Sequence, residues 1–70
     1  MPTGAEALDE LPNRLKPIVP LLAEGLTNDQ ISGVLVLALH TVEGYVSEIK
    51  QRVDARDRVD LVIMCQKYVA

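Results

Sequence analysis

Phenylalanine and tryptophan are absent from this chain of 70 residues, and tyrosine occurs only at Tyr45 and Tyr68. A core without large apolar rings has to be filled by Leu, Val and Ile, which suits small, closely packed helices. Cysteine and histidine each occur once, as Cys65 and His40. A lone thiol forms no internal disulfide, and one Cys with one His falls short of the usual zinc ligand set, so no cofactor is expected. The same cysteine usage points to a reducing cytoplasm. No apolar run approaches the roughly 18 residues of a membrane span. The acidic start MPTGAEALDEL lacks the basic region that opens a secretory signal. An excess of base is missing as well: seven Lys and Arg face ten Asp and Glu, a net charge of −3.

That balance is uneven along the chain. Between residues 11 and 58 the bases are Arg14, Lys16, Lys50, Arg52, Arg56 and Arg58, against Glu24, Asp29, Glu43, Glu48, Asp54 and Asp57. The two sets cancel, so the excess acid lies at the two ends. Lys50, Arg52, Arg56 and Arg58 form either a local positive strip or, interrupted by Asp54 and Asp57, a salt-bridged surface. The length allows one domain that buries only about 60% of its unfolded surface and has no room for a deep catalytic cavity.

What is present is helical periodicity. Residues 31–53, ISGVLVLALHTVEGYVSEIKQRV, carry Ile31, Val34 and Leu35 on one apolar stripe. After a break at Val36, Leu37 and Ala38, a second stripe runs through Val42, Val46, Ile49 and Val53. Two short helices joined by a brief turn predict a helix-turn-helix unit over about 28–35 and 39–53. Thr27 and Gln30 have the spacing of a capping box, with Leu26 ahead of it as a staple onto Ile31. Ala38 offers no side-chain acceptor as a cap for the second helix. Gly33 either admits a close neighbour or is a tolerated surface glycine.

Upstream, residues 1–10 read as a flexible acidic tail, frayed through Leu8 with a helical turn around Glu6 to Glu10. A first helix is expected over 11–25, with Leu15, Ile18, Val19, Leu21 and Leu22 inward and Gly25 as its stop. Pro17 either kinks this helix or starts its regular part; a start near Asn13 with a distortion at Pro17 is the favoured form. Downstream, Asp57 can cap a last helix over about 58–68. Leu61, Met64, Cys65 and Tyr68 make an i, i+3, i+4, i+7 stripe on it. Val59, Val62 and Ile63 add apolar surface beyond that stripe. They imply either a second contact, most simply a homodimer, or a small core that needs all of them.

The stretches LLAEGLTNDQIS (21–32), Leu35-Val36-Leu37, HTVEGYVSEI (40–49) and ARDRVDLV (55–62) together resemble the LuxR-type (GerE-like) helix-turn-helix family. The resemblance runs without a gap over about residues 11–62. It implies an all-α, four-helix helix-turn-helix domain at 11–70 whose third helix lies in the DNA major groove. By position, it implies that Thr41 and the backbone near His40 anchor phosphate at the start of that helix and that Glu43, Gly44 and Ser47 face base edges. Tyr45 stands where the family usually has a phosphate-contacting histidine. Arg52, with Lys50 beside it, matches the basic end that touches the DNA backbone. The fourth helix would carry the dimer contact through Leu61, Met64, Cys65 and Tyr68.

Two functions fit. One is a DNA-binding module of a bacterial transcriptional regulator, with double-stranded DNA and a second copy as partners. The other, motivated by the neutral centre, the acidic ends and Glu43, is a protein-interaction module that kept the fold, with RNA polymerase or another regulator's helical domain as partner. An enzyme is not expected. A His40–Cys65 pair would lack a third group to orient it, and surface and core roles account for the two residues.

Overall fold

Proline and glycine punctuate the chain, and the helices fall between them. The computed structural model describes residues 4–70; the first three residues of the expected tail lie outside them. The described residues form five helices and no strand: α1 Gly4–Asp9, α2 Ile18–Ala23, α3 Asn28–Leu35, α4 Leu39–Arg52 and α5 Arg58–Val69. The all-α class and the helix-turn-helix pair, α3 and α4, are as the periodicity predicts.

The first part of the chain differs from the sequence reading. Residues expected as a tail with a turn instead make α1, with Ala7 and Leu8 buried. Leu8, Leu11 and Leu15 continue the apolar stripe of the following segment upstream, and all three are buried. A five-residue turn at 13–17 replaces the early part of the long first helix, with Leu15 and Lys16 amides bonded to the Pro12 carbonyl. Regular helix starts only at Ile18, with Pro17 as its N-cap. The reason is donor supply. The first amides of a helix have no intrahelical partner, so Pro17 and Pro20 sit where a missing N–H removes nothing.

Helices α1 and α2 pack on α5, and α3 packs on α4. The shared core holds Leu8, Leu15, Ile18, Leu22, Ile31, Val42, Ile49, Leu61 and Cys65 at 1% exposure or less. No polar or charged side chain is buried among the described residues. Val34, assigned to the α3 stripe by spacing, is instead 59% exposed, since α3 buries only Ile31 fully. At Gly33 an added Cβ would meet no atom within 4 Å, which makes it a surface glycine.

Three helices end in the same way. Gly25, Val36 and Asp54 take the left-handed conformation, at φ of 81°, 55° and 56°. The amide one residue further on reaches back across each end: Leu26 to the Leu21 carbonyl at 3.2 Å, Leu37 to Ser32 at 3.0 Å, Ala55 to Lys50 at 3.0 Å. This is the six-to-one bond of a Schellman stop, which satisfies a carbonyl left over at a helix C-terminus. Starts are capped with less regularity. Thr27 and Gln30 complete the capping box of α3, and the Asp57 side chain accepts from the Asp60 amide at α5. At α4 the N-cap Ala38 has the extended backbone of a cap but makes no side-chain bond.

Candidate nucleic-acid interface

Helix α4 is held from behind by Val42, Val46, Ile49 and Val53, all buried. At 3.6 residues per turn its remaining positions fall into three rows. The central row is His40, Gly44, Ser47 and Gln51, every one exposed. Along one edge lie Glu43, exposed, and Lys50, half-buried. Along the other run Thr41, Tyr45 and Glu48, half-buried, and then Arg52, exposed. The residues singled out by sequence therefore share one solvent face but not one environment. His40, Gly44 and Ser47 form its ridge, whereas Thr41, Tyr45 and Arg52 line a flank.

Glu48 and Arg14 were not singled out by the sequence reading. Arg14, from the turn before α2, places Nη2 2.6 Å from each carboxylate oxygen of Glu48. Arg52, one turn further along α4, donates from Nε to Glu48 Oε2 at 2.8 Å. The Arg14 guanidinium also lies 5.9 Å from the centre of the Tyr45 ring, within cation–π range. The hydrogen bond from Arg52, then that from Arg14, holds the Glu48 carboxyl below its ordinary pKa. Glu48 is detectable as the third member of the row that begins at Thr41. Nothing local in the sequence pairs it with a residue 34 positions earlier. Gln51 completes the central ridge by the same spacing.

Two of the four bases at 50–58 are in ion pairs. Arg52 is taken by Glu48, and Arg56 lies 3.8 Å from Asp60. Arg58 reaches back to α3, donating to Asn28 Oδ1 at 2.8 Å and to the Leu26 carbonyl at 3.0 Å. It thereby pins the start of α5 to the start of α3.

The stripe expected to meet a second copy is placed differently. Leu61 and Cys65 have no exposure, so they pack inside their own protomer. Met64 is half-buried against the core, and the Tyr68 hydroxyl is bonded to Asp9. Helix α5 turns this stripe toward α1 and α2, whose Ala7, Leu8, Ile18, Val19 and Leu22 share one core with it. Its outward apolar residues include Val59, 68% exposed, Ile63, 43% exposed, and Val69, 50% exposed. The Cys65 thiol is pushed up to about 11 by burial, as expected of a packed small side chain. His40 stands on the opposite kind of surface, open to solvent. No group of three or more His, Cys, Asp or Glu suited to a metal occurs among the described residues. No helix there is long and apolar enough to cross a membrane.

A short helix, a tight turn and a longer helix with one sealed and one open face define a helix-turn-helix domain, the class of DNA-binding regulator modules. Within that class, the model of "Bacterial regulatory proteins, luxR family" matches residues 9–65, and the chain belongs to this family. It is also 41% identical over 49 residues to the "Probable transcriptional regulator ycf29" of Porphyra purpurea. That match covers 70% of this chain and 23% of the relative, so the chain spans about a quarter of the relative's length. No solved structure matches the chain.

Proposed function

We propose that this chain is the DNA-reading module of a transcriptional regulator, working in the cytoplasm, with α4 in the major groove. The observation that carries this is the open ridge of α4: His40, Gly44, Ser47 and Gln51 stand exposed on a helix whose back is sealed into the core. A ridge of small and polar side chains fits a groove closely. Gln51 supplies an amide of the kind that pairs with adenine, Ser47 bonds several bases, and Glu43 can accept from cytosine N4. In this reading Thr41, Tyr45 and Arg52 on the flank would meet backbone phosphate, and Lys50 would do so from the other edge. Two copies would join along Val59, Val62 and Ile63 of α5, setting two α4 helices about 34 Å apart in successive grooves.

A protein-interaction reading has one observation in its favour: the flank arginines are already paired with a carboxylate, which lowers their pull on phosphate. The partner would then be RNA polymerase or another regulator's helical domain. One titration separates the two. Backbone amide shifts followed at low salt with mixed-sequence duplex DNA should move, reversibly with salt, for residues 40–52. An unmoved α4 at high DNA concentration would discard the groove reading. Glu43→Lys is the companion test. It should strengthen DNA binding if α4 enters the groove and leave it unchanged if that surface never meets DNA.

A further inference from the structure

The row Thr41, Tyr45, Glu48, Arg52 forms one edge of α4, and an edge of a groove-bound helix faces a phosphate strand. A carboxylate in the middle of that edge is out of place. It is also the group to which both nearby arginines are bonded, at 2.6 and 2.8 Å. Carboxylate and phosphate are read by guanidinium with the same charge-assisted bonds. We infer that Glu48 is a built-in stand-in for DNA phosphate: it holds Arg14 and Arg52 in the free protein and surrenders both when DNA binds. Arg14 thereby becomes a phosphate contact supplied from outside the helix-turn-helix pair. This inference rests on the groove reading of α4.

Three features support it. The side chains of Arg14 and Arg52 are 48% and 49% exposed and that of Glu48 is 29% exposed, so the pairs are weak and open to exchange. Arg14 spends only Nη2 on Glu48, and Arg52 only Nε; both keep further donors. Tyr45, lying under Arg14 at 5.9 Å, keeps that guanidinium beside α4 after its carboxylate partner is lost. Two cations on one anion leave a single net positive charge in the free protein. A phosphate that displaces Glu48 meets both.

The experiment compares Glu48→Gln, Arg14→Ala and Arg14→Lys with the parent chain, using mixed-sequence duplex DNA across a salt series. Thermal melts and the Arg52 Nε–H resonance of each free protein are recorded alongside. Glu48→Gln should bind about three- to fivefold tighter, its Arg52 resonance moved away from the ion-paired position. Arg14→Ala should reduce the slope of log affinity against log salt by about one unit, and Arg14→Lys should restore it. In the Arg14→Ala background the gain from Glu48→Gln should shrink, since only Arg52 is left to release. Parent binding with Glu48→Gln unchanged or weaker overturns the inference and leaves the groove reading standing. Tighter binding by Glu48→Gln when the parent binds barely at all supports it. If neither binds at low salt, the groove reading falls, and the inference with it.

Discussion

The Tyr68 hydroxyl donates to Asp9 Oδ1 at 2.8 Å, joining the last helix to the first across 59 residues. This bond, together with buried Ala7 and Leu8, is what makes α1 part of the domain. The bond to Asp9, then partial burial, then the Asp9 charge, raises the Tyr68 pKa. In a Tyr45→Phe background, a phenolate absorbance titration should find Tyr68 ionising above its ordinary value, and Asp9→Asn should bring it back down. The sign for stability follows. A phenol with a raised folded pKa contributes fully below the unfolded value and loses that contribution as pH rises through the folded one. Asp9→Asn should therefore lower the melting temperature at neutral pH and matter less in strong alkali. A Tyr68 pKa indifferent to Asp9→Asn would break the link.

Val36 is a β-branched residue held left-handed at φ 55° while 88% exposed, so its side chain gains little from packing. Left-handed backbone costs an L-residue about 1–2 kcal/mol, and glycine's extra freedom when unfolded offsets only part of the relief. Val36→Gly should raise stability by about 1 kcal/mol, a melting temperature gain of roughly 4–8 °C in a domain of this size. Calorimetry checks it; a fall in melting temperature would mean that the Val36 methyls have an unseen stabilising contact.

Ala38 already has cap geometry, at φ −64° and ψ 146°, but lacks an acceptor. Ala38→Ser should stabilise by about 1 kcal/mol by satisfying an amide at the start of α4. Thr27→Ala, which dismantles an existing capping box, should cost a similar amount. Urea unfolding of the two variants should shift the midpoint in opposite directions with unchanged slope. Equal shifts of one sign would contradict the capping account.

Cys65 has no exposed surface, and its thiol is raised to about 11. Labelling with a thiol reagent at pH 8 should be slow in the native state and fast in denaturant, with the native rate tracking unfolding. An unfolded thiol ionises near 8.5, so stability tied to Cys65 is intact below that pH and is lost as pH climbs toward about 11. Rapid native labelling would place Cys65 at the surface.

The sequence made α3 and α4 readable because their signals are local. Thr27 with Gln30 marks the start of α3, Asp57 marks that of α5, and the spacing of Val42, Val46 and Ile49 gives the buried face of α4, all of them short-range patterns. The beginning of the chain was harder. Pro12, Pro17 and Pro20 fall within an apolar periodicity that by itself predicts one helix, and the periodicity cannot tell a turn from a kink. Helix α1 has six residues and stands only because α5 covers it, a contact invisible to local pattern. The same limit hid the Arg14–Glu48 pair. Which face of α5 turns inward is likewise a long-range matter: Leu61 and Cys65 are spent on packing within the protomer, which their spacing alone does not show.

The stops at Gly25, Val36 and Asp54 separate two tasks that proteins often merge. The bend into each following segment is written in main-chain carbonyls and amides, and the packing in buried Val, Ile and Leu. Neither draws on His40, Glu43, Gly44, Ser47 or Gln51. Those five positions are free to vary without renegotiating the fold. A lineage carrying this scaffold could change those exposed side chains one at a time while the core and the helix stops stay as they are.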